Sequence, residues 1–215
     1  MSGNSSSTDV LLDRLKGGDE QALAELFSAH RDRLKRIVLV RMDRRLQGRA
    51  DASDVVQEAY LDARQRLRHY IEKPKTPFFV WLRQVTMQRL IDVHRHHLGA
   101  QMRDARQEVS IHGGAPGTMS STALAAQLVG HLTSPSQMVL RAELMDRVEA
   151  GLQQMDAMDR EVLVLRHFEE LTNNEVAEVL KISKAAASNR YVRALGRLRS
   201  VLTEVLGPTD DSRGN

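Results

Sequence analysis

The chain has 215 residues, of which 41% are hydrophobic, 27% charged and 4% aromatic, with a net charge of +3 and no cysteine. This length suits one or two domains with a buried core, and the scarcity of aromatic residues disfavours an all-β fold. The absence of cysteine excludes a disulfide framework and a thiolate metal site. Charges interrupt every apolar stretch, which excludes a membrane span, and the first residues lack the apolar core of a signal peptide. We therefore expect a cytoplasmic protein.

The first block, residues 9–97, is predicted to form four helices. Apolar residues recur at helical spacing over residues 9–46, and the glycine pair at 17 and 18 divides this stretch into two helices. A third helix is expected over residues 54–70, after a start signal at Ser53 and Asp54. Two prolines bracket the following turn, and residues 78–97 form the fourth helix.

The composition changes after this block. Residues 98–133 are rich in glycine, alanine, serine, histidine and methionine and have no sustained apolar period, so they are predicted to form a flexible linker. Residues 134–206 return to a helical pattern and form the second block, while residues 1–8 and 207–215 are expected to be disordered tails. The helices predicted in the second block span residues 136–155, 159–169, 172–180 and 183–206.

The strongest local signal lies in the second block. Thr172 and Glu175 have the spacing of a capping box, in which each side chain bonds the other residue's backbone N–H. The short helix that begins there ends near Lys181, and Ser183 can cap the next helix. Two helices joined by so short a turn indicate a helix-turn-helix.

The second helix of this motif separates an apolar face from a cationic one. Arg190, Arg193 and Arg197 lie on one side, while Ala187, Ala194 and other apolar residues recur on another. A solvated basic face is the alternative interpretation. The preceding capped helix favours a helix that reads the major groove of DNA.

Two further stripes mark the first block. Asp54, Glu58 and Asp62 are four residues apart, so three like charges share one helix face, which either binds a basic partner or is simply solvated. The next helix carries one stripe that mixes the single tryptophan with side chains able to bond bases or phosphates, although a tryptophan buried in the core is the alternative. This second stripe comprises Trp81, Gln84, Gln88, Asp92 and Arg95.

Catalytic chemistry finds little support in the sequence. There is no glycine-rich phosphate loop, nucleophile elbow, H-E-x-x-H motif or cysteine nucleophile. His94, His96 and His97 form a histidine cluster, but no acid completes a convincing set of metal ligands. We expect no enzymatic activity, no catalytic residue, no metal and no cofactor.

Together the two blocks resemble bacterial RNA polymerase sigma factors of the extracytoplasmic-function (ECF) type, which keep only regions two and four. The segments DVVQEAYLDA and FFVWLRQVTMQRLIDVHRH resemble the region-two signature and the promoter-melting helix. The segments MDREVLVLRHFEELTNNEVAEVLKIS and SNRYVRALGRLR resemble region four. The resemblance implies an all-α fold of two small helical domains joined by a flexible linker, the second with a helix-turn-helix.

The same resemblance implies a function and partners. The protein would bind core RNA polymerase and direct promoter recognition and transcription initiation, with an anti-sigma protein as a further candidate partner. Asp54, Gln57 and Glu58 would contact the coiled coil of the polymerase's largest subunit. The stripe from Trp81 to Arg95 would engage the minus-ten element. The residues carried over for the minus-thirty-five element are Lys184, Ser188, Asn189, Arg190 and Arg193.

Three positions depart from the family pattern. Lys181 stands where the family usually has glycine in the turn, so the turn needs either a positive φ at a lysine or another geometry. Gln88 replaces a common asparagine in the melting helix. Alanines at 185–187 leave the start of the reading helix little side chain for direct readout of bases, which favours shape and backbone contacts.

Two other classes of protein compete with this interpretation. A polymerase-independent helix-turn-helix regulator would use its first block to bind a signal or a second subunit, but it leaves the acidic stripe unexplained. A metal-dependent enzyme would use the histidine cluster and would contain metal in stoichiometric amount.

Overall fold

The computed structural model describes residues 3–19, 21–43, 46, 48–98, 119–132 and 138–206. These residues form helices joined by turns, and strands are absent from the described ranges, so the predicted all-α fold is confirmed. The chain divides into two units, residues 1–103 and residues 104–215. In the part of the chain that the structure describes, no helix has the length and apolar character needed to span a membrane.

Within the described residues, the first unit contains four helices that pack around an apolar core. They are α1 (Gly3–Lys16), α2 (Gln21–Arg41), α3 (Ala52–Glu72) and α4 (Phe78–Leu98). Helix α2 contacts the other three, and α3 packs along α4. The core includes five fully buried residues from three helices: Leu26, Leu34 and Ile37 of α2, Val56 of α3 and Leu82 of α4.

Local chemistry explains where these helices begin and end. Helix α1 ends just before the glycine pair, and Gly18 adopts a φ of 92°, a value that residues with a side chain rarely take. Helix α3 begins at Ala52 because Asp51 caps it: the backbone N–H of Ser53 donates to Asp51 Oδ1 over 2.7 Å.

The second unit holds five helices and one irregular turn within the described residues. They are α5 (Ser121–Leu132), α6 (Met138–Gln153), α7 (Ala157–Leu163), α8 (Asn173–Leu180) and α9 (Lys184–Leu206). Asp156 caps α7 by accepting from the backbone N–H groups of Met158 and Asp159, and α7 continues into a π-helical turn at Val164–Phe168. Helix α9 packs on α6, α7 and α8.

Helices α6 and α9 approach each other closely at Gly151. A Cβ atom at this position would lie 2.5 Å from Cγ1 of Val201, so any side chain here would force Val201 or its helix to shift. Further along, Arg147 Nη2 donates to the backbone carbonyl of Glu204 over 3.1 Å. The long helix α9 is thus supported by α6 in its C-terminal half.

Two expectations from the sequence need correction. The linker predicted over residues 98–133 is wrong for residues 121–132, which form α5 and bury Leu124, Ala125 and Val129 within the second unit. Helix α1 begins at Gly3, so the tail expected over residues 1–8 is helical from that point, since serines extend a helix once it has nucleated. Residues 99–118 and 207–215 lie outside the described residues.

Candidate nucleic-acid and partner interfaces

The acidic stripe of α3 faces solvent at its N-terminal end. Asp54, Gln57 and Glu58 are all exposed, while Val55 and Val56 on the opposite face are buried in the core. The helix thus presents two carboxylates and an amide on one accessible surface. We call Asp54, Gln57 and Glu58 the α3 face.

The third acid of the stripe has a partner within the chain. Arg89 of α4 donates to both oxygens of Asp62, at 3.0 Å from Nε and 2.9 Å from Nη2. The same guanidinium lies 3.6 Å from Glu58. Like-charge repulsion along α3 is therefore relieved at its C-terminal side, and Glu58, whose side chain is 52% exposed, stays accessible beside Asp54.

The stripe on α4 lies on one face of the helix, as its spacing predicts. Trp81 is half-buried and stacks on Tyr70, with ring centroids 4.6 Å apart. Tyr70 is itself fixed by donating from its hydroxyl to the carbonyl of Thr76 over 3.0 Å. Trp81 therefore contributes to packing but is not buried in the core, and it borders the accessible part of the stripe.

The other members of the stripe are exposed. Gln88 donates from Nε2 to Asp92 Oδ1 over 3.2 Å, and Arg95 lies 3.7 Å from the same oxygen. Gln84 is exposed one turn before Gln88. This surface offers amide, carboxylate and guanidinium groups in a row beside an aromatic ring.

The helix-turn-helix comprises α8, a short turn and α9. The capping box is confirmed: the Glu175 N–H donates to Thr172 Oγ1 and the Thr172 N–H donates to Glu175 Oε2, over 3.3 and 2.7 Å. Lys181 adopts a left-handed conformation with φ 55° and ψ 44°. The N–H of Ile182 donates to the carbonyl of Ala177 over 3.0 Å, which closes the turn. The turn thus keeps a geometry suited to glycine with a lysine in place.

The outer face of helix α9 has an uncharged stretch at residues 188, 189 and 192. Ser188 and Asn189 are exposed, as is Lys184 at the start of the helix. Val192 continues this face and is 69% exposed, whereas Ala187 and Ala194 on the other side are buried. Sequence reasoning missed Val192, although its position one turn after Ser188, away from the buried alanines, is a signal that could have found it.

Arg190 and Arg193, which are predicted to bind DNA, form ion pairs with Asp159 of α7. Arg193 donates from Nε and Nη2 to the two oxygens of Asp159, each over 2.7 Å, and Arg190 Nη1 donates to Asp159 Oδ1 over 2.8 Å. The Asp159 side chain is 0% exposed. Burial alone would raise the pKa of Asp159, but the two arginines outweigh it and hold this pKa below its ordinary value. Arg190 and Arg193 therefore join α9 to α7.

The residues of the histidine cluster make contacts within the chain. His94 accepts at Nε2 from the N–H of Asp43 over 3.3 Å, and the rings of His96 and His97 lie 5.0 Å apart. Among the described residues, no three histidine or carboxylate side chains converge as ligands.

Comparison with known proteins gives a consistent result. The family model of the ECF sigma factors matches residues 5–202. The ECF RNA polymerase sigma factor SigW of Bacillus subtilis is 23% identical over 192 residues, which cover 89% of this chain and 95% of SigW. The RNA polymerase sigma factor CarQ of Myxococcus xanthus is 27% identical over 194 residues, which cover 90% of this chain and 97% of CarQ.

A solved structure shares the fold. The structure of CnrH in complex with the cytosolic domain of CnrY aligns with a TM-score of 0.52 and 20% identity, over 92% of this chain and 98% of CnrH.

Proposed function

The chain belongs to the ECF sigma factors, and on this basis we propose which of its surfaces bind core polymerase and promoter DNA. The protein binds core RNA polymerase and directs promoter recognition and transcription initiation. The observation that carries this function is the family match over residues 5–202, which includes both helical units.

The α3 face is the docking surface for core polymerase. Its carboxylates are exposed on a rigid helix, and Arg89 neutralises Asp62 rather than Asp54. An exposed acidic patch of this kind complements a basic helix of the partner and speeds its encounter. Leu61, 52% exposed one turn beyond Gln57, adds an apolar contact at the edge of the same face.

The outer face of α9 reads the minus-thirty-five element in the major groove. Ser188 and Asn189 carry hydroxyl and amide groups that bond base edges, and Val192 suits contact with a thymine methyl group. Lys184 lies where a phosphate would pass the start of the helix. Arg190 and Arg193 flank this face from the α7 side.

The stripe on α4 engages the minus-ten element through its exposed residues. Gln84, Gln88 and Arg95 supply donors for bases or phosphates of a separated strand, and Trp81 lies at the end of the row, where a base can stack on its exposed part. Asp92 orients Gln88 and Arg95 through the contacts described above.

Three further assignments follow from the family. The protein is an initiation factor without catalytic activity of its own, and it works in the cytoplasm with the polymerase. CnrH forms a complex with the cytosolic domain of another protein, CnrY, and a comparable protein partner that holds this chain inactive is proposed here as well.

Transcription in vitro with purified core polymerase tests the function. The full-length protein should bind core polymerase in a pull-down and should start transcripts from promoter sites that core polymerase alone does not use. If it binds DNA sequence-specifically without binding core polymerase, the polymerase-independent regulator replaces the sigma factor.

A further inference from the structure

A buried carboxylate lies at the junction of α7 and α9. Asp159 receives three hydrogen bonds of 2.7 to 2.8 Å from Arg190 and Arg193. Asp156 adds a longer contact of 3.3 Å to Arg190. The side chains of the two arginines remain 29% and 51% exposed, whereas that of Asp159 is fully buried.

The donors used in this cluster are those that a guanidinium uses to bind a phosphate. A planar guanidinium binds carboxylate and phosphate oxygens in the same two-point geometry, so an arginine engaged with Asp159 offers fewer donors to DNA. The desolvated carboxylate competes strongly for them, because a buried charge is costly unless it is paired and these two arginines compensate it.

The consequence concerns the balance between phosphate binding and base reading. Phosphate contacts supply nearly all non-specific affinity, whereas contacts to base edges carry the sequence information. Among the exposed residues of α9, Ser188, Asn189 and Val192 are uncharged, whereas Lys184, Arg197 and Arg199 are cations. With two neighbouring cations engaged by Asp159, these neutral side chains contribute a larger share of DNA binding.

We propose that Asp159 is a positioning residue that determines specificity by holding Arg190 and Arg193 against α7 and away from DNA phosphates. The proposal rests on the function assigned above, in which α9 reads promoter DNA. Helix α9 has other attachments, since Asn173 Nδ2 donates to the carbonyl of Lys184 over 3.0 Å and the Tyr191 hydroxyl lies 3.1 Å from His167 Nε2. Loss of the carboxylate therefore releases the arginines without freeing the whole helix.

The test uses the full-length Asp159→Asn variant and a fluorescent DNA duplex pool of random sequence. Releasing two arginines should make the plot of log affinity against log salt steeper by about 1 to 2. Affinity for the pool should rise at low salt. A folding defect alone would lower affinity, so a rise separates sequestration from damage. Asp146→Asn, which removes an exposed carboxylate of α6 and makes the same change in net charge, is the control and should leave the slope near that of the wild type.

A second variant keeps the proposal open to refutation even if Asp159→Asn folds poorly. Arg193→Gln should leave the salt slope of the wild type nearly unchanged, because Arg193 is engaged by Asp159. A slope lower by about 1 would show that Arg193 already binds a phosphate and would overturn the proposal.

Sequence selection distinguishes this proposal from the function on which it rests. Bound with core polymerase, the wild type should enrich one promoter sequence from the pool, and Asp159→Asn should enrich it less. If the wild type selects no sequence, the proposed function fails. If the wild type selects but Asp159→Asn behaves as Asp146→Asn, only the role of Asp159 fails.

Discussion

Lys181 has the least favourable backbone conformation in the helix-turn-helix. A lysine at φ 55° crowds its Cβ against the following carbonyl, which costs about 1 kcal/mol relative to glycine. We expect Lys181→Gly to stabilise the protein by about that amount in urea denaturation. Glu178→Gly, at an exposed α-helical position of α8, should instead destabilise it by a similar amount. Equal destabilisation by both variants would contradict the left-handed turn.

Asp159 makes stability depend on pH in acid. Its pKa in the folded protein lies below the ordinary value of 3.8, so the unfolded state binds the proton more readily. The contribution of Asp159 is therefore complete above about pH 4 and is lost as the pH falls through the lowered pKa. Denaturation measured from neutral to strongly acidic pH should show a steeper loss for the wild type than for Asp159→Asn. Parallel curves would mean that Asp159 ionises normally.

At the scale of the element, α3 can be tested by charge reversal. Asp54→Lys with Glu58→Lys should set like charges against the basic helix of the polymerase and cost several kcal/mol of association, about a thousandfold in affinity. Both side chains are exposed, and the 3.6 Å contact of Glu58 with Arg89 is an ion pair at the surface, so the melting temperature should fall only slightly. The measurement is binding of each full-length variant to core polymerase, together with transcription in vitro.

The matched control reverses two acids elsewhere in the first unit. Asp9 on α1 and Asp32 on α2 are exposed, and changing both to lysine gives the same net charge. This variant should bind core polymerase nearly as well as the wild type. If this control lost as much binding as the α3 variant, the loss would come from the change in net charge and not from the α3 face.

Helices with strong end signals were predictable from the sequence. The glycine pair, the prolines around residue 75 and the Thr172–Glu175 box each act within a few residues, so α2, α4, α8 and α9 lie close to their predicted spans. Helix α5 was not predicted, because it follows a glycine-rich stretch and its apolar pattern is short. Burial of Leu124 and Val129 in the folded protein stabilises this helix.

The partners of charged side chains were not predictable in the same way. Spacing placed Arg190 and Arg193 correctly on α9, but their distance from Asp159 depends on how α9 packs against α7. Asp62 and Arg89, 27 positions apart, met for the same reason. Side-chain pairing across helices is a property of tertiary packing, which local periodicity does not encode.

At the scale of the whole molecule, the two units should separate under limited proteolysis. The composition of residues 99–118 predicts that proteinase K cuts there first. Helix α5 packs on α6 and buries Leu124, so it should remain with the second fragment, which then begins before Ser121. Mass spectrometry of the early fragments would identify the cleavage sites. Early cleavage within residues 121–132 would contradict the packing of α5.

The contact between Gly151 and Val201 offers a route to a conditional allele. Because a Cβ at position 151 would collide with the Val201 side chain, Gly151→Ala should push α6 and α9 apart and cost about 1 to 3 kcal/mol. Such a loss is tolerable in the cold but not near the melting temperature. A strain carrying this allele should transcribe the dependent genes at low growth temperature and stop transcribing them on warming. Val201→Ala should restore their transcription at the higher temperature by making room for the Cβ of residue 151.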